Sequence, residues 1–195
     1  MLKRLENALA DGDEIKGVIK GGGLSNDGKG QHVLSPNSKG QVKAFERAYE
    51  NANVDPATVE YIECHATGTP LGDKVELTSL ETFFSPHLEK SKREAPLIGS
   101  VKSNLGHLLT AAGMPAIMKV ILSMKHGQIP ASINIEQKQK SPSNIFSEEK
   151  ICSTNTEWQS DEEIKRAGVS VFGFGGANAH MVFRRSAKNI RENKS

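Results

Sequence analysis

A chain of 195 residues makes one domain of ordinary size, or part of a larger one. Its 25 basic and 23 acidic residues are mixed along the chain, so neither nucleic acid nor a membrane surface has an electrostatic claim on it. A hydrophobic fraction of 36% and a mean hydropathy of −0.45 fit a soluble protein. Two cysteines, Cys64 and Cys152, are too few and too far apart for a disulfide framework or a four-ligand zinc site. That favours a reducing, intracellular setting, and the expected location is cytoplasmic. The opening Met1-Leu2-Lys3-Arg4-Leu5-Glu6 is charged and helical in character, unlike a signal peptide. The longest apolar segment, Leu105 to Met124, is broken by His107, Thr110, Pro115, Lys119 and Ser123, which argues against a membrane span.

In chain order, Leu2, Leu5, Ala8 and Leu9 share one face of a helix closed by Asp11-Gly12. Glu14 to Gly21 reads as a strand running into Gly21-Gly22-Gly23, and Asn26 to Gly30 as a polar loop. A phosphate-cradling loop needs a following Gly-Lys-Ser/Thr and a helix, which this one lacks. Ser38 is a candidate helix cap with Gln41 as its box partner, ahead of an apolar face of Val42, Phe45, Ala48, Tyr49 and Ala52. Asp55-Pro56 ends that region. Val59 to Cys64 forms a strand that delivers His65-Ala66-Thr67-Gly68-Thr69-Pro70, and a helix follows over Pro70 to Phe84. Ser85 to Ala95 reads as a surface loop.

Pro96 to Val101 is a second buried strand, and Leu108 to Met124 is long enough for a helix. Between them Ser100-Val101-Lys102-Ser103-Asn104-Leu105-Gly106-His107 makes a strand-to-helix turn, where α/β proteins place chemistry. Pro115 should kink that helix or mark its effective start. Gln128 to Ser160 is long and irregular, a functional loop or a surface wrap. Ala167 to Phe172 and His180 to Arg184 are expected to pair as a hairpin across Gly173-Phe174-Gly175-Gly176-Ala177-Asn178. The basic tail beyond Arg185 is expected to be disordered. The order of elements says α/β.

His65 and His107 occupy matched positions, each after a strand and before a helix. Two neutral imidazoles there can converge on one carbonyl, and a helix N-terminus would help keep them neutral. The plainer reading makes both structural histidines at strand ends. Lys102 is either an exposed lysine or one that needs a carboxylate, with Asp73 and Glu76 the candidates. Cys64 neighbours His65 but faces the other side of the strand. Cys152 has no helix start to lower its pKa, and no Gly-x-Ser-x-Gly elbow is present. Cys64, His65 and His107 have ligand chemistry but no metal-site spacing, so no metal is expected. The chain offers acid–base or oxyanion groups and no nucleophile.

Glu63-Cys64-His65-Ala66-Thr67-Gly68-Thr69, Gly72-Asp73-Lys74-Val75-Glu76, Lys102-Ser103-Asn104-Leu105-Gly106-His107 and Gly173-Phe174-Gly175-Gly176-Ala177-Asn178-Ala179-His180 resemble the β-ketoacyl synthase signatures. The likeness is to ketosynthase domains of modular polyketide synthases and polyunsaturated-fatty-acid synthases, and it runs from about Leu2 to Arg184. It implies a thiolase-like fold, an α-β-α-β-α layered sandwich, of which this chain is the C-terminal half. Residues 1–22 would be the last helix and strand of the N-terminal half, 23–185 the C-terminal domain and 186–195 the tail. Ala66 departs mildly from relatives that have glycine there.

The resemblance also implies decarboxylative Claisen condensation of an acyl thioester with a malonyl-type extender carried on the phosphopantetheine arm of acyl carrier protein. No cofactor would be bound by the chain itself. His65 and His107 match the two histidines of the family, and Lys102 the lysine that organises the site, with Glu76 beside it. Thr67 and Thr69 match the hydroxyls that hold the pantetheine arm, and Phe172 the gating phenylalanine whose N–H lines the oxyanion hole. The nucleophilic cysteine would lie on an N-terminal half that these residues lack. Expected partners are therefore acyl carrier protein, the cysteine-bearing half and a second copy in a dimer, with inactivity alone. Two other readings remain: a pantetheine-binding module, or a non-catalytic partner of the chain-length-factor kind.

Overall fold

The computed structural model describes residues 1–28, 35–158, 160 and 164–186. A short helix, α1 (Leu5–Ala10), precedes strand β1 (Val18–Asn26), which runs straight through the triple glycine. The expected boundary after residue 22 thus falls inside β1. Helix α2 (Ser38–Ala52) lies directly on this strand. A Cβ on Gly21 would sit 2.4 Å from the Ala52 backbone N, and one on Gly23 2.2 Å from the Ala44 carbonyl O. The glycines therefore serve close helix–strand packing.

The cap of α2 is Asn37, whose side chain accepts from the Lys39 N–H, and not Ser38. Gln41 does not reach back to close a box. It is buried, and its Oε1 accepts from the Ser79 hydroxyl at 2.7 Å. Strand β2 (Tyr61–Glu63) leads to α3 (Pro70–Ser91). The expected loop from Ser85 is instead helical for two further turns. Pro86 forfeits one backbone bond, while Leu88 beyond it is buried in the core and keeps the helix docked.

Strand β3 (Leu97–Gly99) ends in a one-turn helix, α4 (Lys102–Leu105), closed by Gly106 at φ +81°. The expected continuous helix from Leu108 is broken into a short 3₁₀ turn and α5 (Gly113–His126). Pro115 sits in the first turn of α5, where its missing N–H has no intrahelical partner to lose, so it marks the start and causes no kink. Strands β4 (Gln128–Ile129) and β5 (Thr156–Glu157) pair at the two ends of the irregular segment. The last elements, β6 (Ile164–Gly173) and β7 (Ala177–Ser186), form the expected antiparallel hairpin. Its turn places Gly175 and Gly176 at φ +84° and +77°. The tail expected to be disordered lies, beyond Ser186, outside the described residues, as do residues 29 and 30 of the expected polar loop.

The sheet runs β1-β7-β6-β2-β3, with β2 parallel to both β3 and β6. Each face carries a core. Phe45, Tyr49, Leu80, Phe83 and Phe84 from α2 and α3 pack on Ile62 and Val182. On the opposite face Ala116, Val120 and Met124 of α5 pack on Tyr61, Ala167 and Phe183. The result is an α-β-α arrangement, half of the layered sandwich that the resemblance implies. Among the described residues, no helix is long and apolar enough to cross a membrane.

The packing of α2 on β1 predicts that Gly23→Ala destabilises the chain by about 1–3 kcal/mol, the usual cost of overpacking. Gly22→Ala should cost less, since a Cβ there meets its nearest atom at an ordinary 3.5 Å. Equal denaturant midpoints for the two variants would contradict this account of the glycines.

Candidate active site

Because β2, β3 and β6 run parallel, their C-terminal ends lie along one edge of the sheet. That edge receives His65 from β2, Lys102 and His107 from β3, and Phe172 from β6. It is where open α/β sheets place their sites.

The turn after β2 is held by Glu76 of α3. Its two carboxylate oxygens accept from the His65 N–H and the Ala66 N–H, each at 2.8 Å. Successive N–H groups aimed at one anion form a nest, and Ala66 completes it at φ +23°. This positive φ gives the physical reason that glycine suits the position. Gly68, at φ +79°, donates its N–H to Asp73 at 3.3 Å.

The turn after β3 is held just as firmly. Ser100 donates its N–H to Ser132 Oγ at 2.9 Å, and Val101 donates its N–H to the buried Glu63 carboxylate. The Ser103 hydroxyl donates to the Ser100 carbonyl at 2.8 Å and accepts from the Ile133 N–H at 3.0 Å. His107 accepts the Leu109 N–H on Nδ1 at 3.0 Å. A neutral His107 therefore carries its proton on Nε2, free to donate.

The two imidazoles meet at this edge. Their ring centroids are 5.6 Å apart and nearly perpendicular, and the Phe172 ring lies 5.4 Å from that of His65. Burial, with added repulsion from the Lys102 and His107 charges, pushes the His65 pKa down to about 3. His65 is thus neutral, as expected, but for a different reason: Pro70 begins the helix five residues later, so burial and not a helix terminus sets its charge.

Burial pushes Glu76 up to about 7, against the opposing pull of its two N–H donors and of Lys102. Lys102 is lowered by burial, with Glu76 and Glu63 pulling it back. Among the described residues its buried Nζ has no hydrogen-bond partner, so Glu76 reaches it through its field without a direct contact.

His65, His107, Thr67, Thr69 and Phe172 line a cleft of about 970 Å³. The two threonine hydroxyls are 3.3 Å apart. A second cleft, of about 810 Å³, shares Thr67 and His107 and has Lys102 and Glu76 on its wall. The sequence-derived set therefore converges. Cys152 lines neither cleft; Cys64 lies on the wall of the second, but both are buried, and burial raises both thiols. Among the described residues, no three His, Cys, Asp or Glu side chains are placed to hold a metal ion.

One group was not singled out from sequence, the buried set Glu63, Tyr61 and Lys119. Its signal was present as two polar-tipped residues at period two on a strand buried on both faces. His180 is a core residue, stacked on Tyr49 and bonded through Nδ1 to Ser170 Oγ at 3.0 Å; burial pushes it down to about 3.

The family described as "Beta-ketoacyl synthase, C-terminal domain" matches residues 16–136. One polyunsaturated fatty acid synthase polypeptide of Thraustochytrium sp. is 41% identical over 190 residues, covering 93% of this chain and 7% of that protein. One phenolphthiocerol/phthiocerol polyketide synthase polypeptide of Mycobacterium tuberculosis is 42% identical over 185 residues, 93% of this chain and 10% of that protein. Among solved structures, the PfaC keto synthase–chain length factor superposes with a TM-score of 0.87 at 55% identity, over 99% of this chain and 20% of that one. The ketosynthase from module 6 of the bacillaene synthase of Bacillus subtilis 168 gives 0.83 at 36% identity, over 94% and 34%. The chain spans a tenth or less of the length of these curated relatives. It belongs to the β-ketoacyl synthase family. Within that family it is the C-terminal, thiolase-like half of a ketosynthase of the polyketide and polyunsaturated-fatty-acid synthase type.

The shifted groups predict an acid-sensitive fold. His65 and His180 refuse protons that the unfolded chain accepts, so stability is full above 6.5 and falls as pH drops towards about 3. Glu76 acts oppositely, since from 4.5 to about 7 the folded chain keeps a proton that the unfolded chain has released. With two histidines against one carboxyl, net stability should decline on acidification below 6.5. The check is an NMR titration from about pH 8 to about pH 5, in which the His65 and His180 ring signals should stay still. A His65 signal that titrates near 6.5 would contradict the burial argument.

Proposed function

We propose that this chain supplies the decarboxylating and enolate-stabilising half of a β-ketoacyl synthase. The observation that carries the reading is the pair of imidazoles, delivered by two parallel strand ends and facing one another at 5.6 Å over a cleft. The reaction is decarboxylative Claisen condensation in polyketide or fatty acid synthesis, an acyl transfer. A malonyl-type extender, carried on the phosphopantetheine arm of acyl carrier protein, enters the cleft that Thr67 and Thr69 line. Their hydroxyls hold the arm.

Loss of carbon dioxide leaves the electron pair of the broken bond on the extender as an enolate. Its oxygen takes hydrogen bonds from the His65 and His107 rings, donors fixed in place before the charge develops. The enolate carbon then attacks the carbonyl carbon of an acyl thioester, and the thiolate departs. Lys102 contributes positive potential that keeps His65 neutral and favours the developing negative charge. Glu76 supports the site by locking the backbone of the His65 turn. Phe172, packed on the His65 ring, gates the cleft, and its backbone N–H serves the oxyanion of the thioester under attack.

With both thiols buried and raised, the nucleophile comes from a cysteine-bearing half. Met114, Met118 and Leu122 expose an apolar stripe on α5, 60%, 51% and 46% accessible, which that half would cover. Unpartnered, this face also favours self-association into a dimer. A purely structural partner would need neither the paired histidines nor a buried lysine beside them, which favours the catalytic reading.

The test is condensation by this chain with and without its cysteine-bearing half. Product is expected only from the two together, and His65→Ala or His107→Ala should lower turnover by roughly 10²- to 10⁴-fold, the usual range for a positioned acid–base group. Carrier-protein binding without product in either case would favour a binding module.

A further inference from the structure

We propose that Glu63 is a positioning residue for this reaction: its carboxylate fixes the His65 turn and the Lys102–His107 turn relative to one another, with Lys119 as buried counter-ion. The inference rests on the function proposed above for His65, Lys102 and His107.

Glu63 is the last residue of β2 and has no exposed surface. Its Oε1 accepts the N–H of Val101, the residue before Lys102. Its Oε2 accepts the Tyr61 hydroxyl at 2.6 Å and lies 3.0 Å from Lys119 Nζ of α5. His65 follows Glu63 by two residues. One carboxylate thus joins the strand that carries the first imidazole, the turn that carries the lysine and second imidazole, and the helix beneath.

The surroundings are shaped for it. A Cβ on Gly99 would lie 2.8 Å from the Tyr61 hydroxyl, 2.9 Å from Ser132 Oγ and 3.5 Å from Lys119 Nζ, so only glycine leaves the cluster its room. Ser132 holds the Ser100 N–H while Glu63 holds that of Val101, so two consecutive amides of the turn are gripped by buried side-chain oxygens. A buried ion pair gains little stability over apolar residues of the same volume. Positional control of the turn accounts for its presence here where stability does not. The Glu63 charge also helps keep Lys102 cationic, while that of Lys119 opposes it.

Removing one charge alone would strand the other, so the test uses paired substitutions in the complete ketosynthase, this chain with its cysteine-bearing half. Glu63→Gln with Lys119→Met removes both charges and keeps an oxygen for the Val101 N–H. Glu63→Leu with Lys119→Met removes both charges and the oxygen. The Leu/Met chain should melt lower, since it leaves the Val101 N–H and the Tyr61 hydroxyl without their acceptor, so both enzymes are assayed well below either melting temperature.

The Gln/Met enzyme should keep kcat for decarboxylation within about threefold of wild type. The Leu/Met enzyme should lose roughly ten- to a hundredfold in kcat with KM for the extender unchanged, the size expected for misplaced catalytic groups. Amide hydrogen exchange should quicken over residues 100–107 in the Leu/Met chain only. Equal kcat in the two enzymes, measured well below either melting temperature, overturns the proposal. Unchanged exchange over residues 100–107 in the Leu/Met chain overturns it independently of any activity. A wild-type complex that releases no carbon dioxide overturns the reading of the histidines instead.

Discussion

The site depends on two buried carboxylates, Glu76 and Glu63. Glu76 grips two successive N–H groups at the end of β2, and Glu63 grips the Val101 N–H at the end of β3. Backbone donors at a strand end have lost their ladder partners and must bond elsewhere. Here buried side-chain oxygens of Glu76, Glu63 and Ser132 satisfy them and set the direction in which the chain leaves the sheet. The two imidazoles inherit their mutual geometry from those anchors. Burial then keeps His65 neutral, which an enolate-stabilising donor requires.

Two faces of the molecule carry opposite obligations. The sheet is covered by α2 and α3 on one side and by α5 on the other, so its own core is complete. The outer face of α5, the turn before it and the hairpin tip are not covered: Leu109 is 71% and Phe174 79% exposed beside the cleft. Apolar exposure next to the cleft that lacks a nucleophile joins the structural and chemical needs in one place. The partner that would bury this surface is the one that would supply the thiol.

Much of this was legible in the residues. The β2 and β3 strands are short apolar runs ended by glycine and small polar residues, and the β6–β7 hairpin is announced by its glycine-rich turn. The motif residues His65, His107, Thr67, Thr69 and Phe172 meet at one cleft because parallel strands share an edge, a topology that the strand–helix alternation implies. What escaped was decided by tertiary contact. The glycines of β1 look like the end of the strand until α2 is laid against them, and Pro86 looks like part of a loop until Leu88 is seen buried. Pro115 carried both possibilities in the sequence, and only the position of α5 chose between them. Lys102 reads from sequence as either exposed or in need of a carboxylate, yet it is buried while Glu76 is spent on backbone amides. Glu63 stood in view within a motif, but its partner Lys119 is far along the chain, and no local pattern pairs them.

The central claim is that decarboxylation belongs to this chain and carbon–carbon bond formation to its union with a nucleophile. The most direct measurement is carbon dioxide release from a malonyl thioester by the complete ketosynthase after its nucleophilic cysteine has been changed to alanine. The account predicts that release continues while condensation stops, and that release disappears when this chain carries His65→Ala. Release that vanishes with the cysteine, or that survives loss of His65, would contradict it.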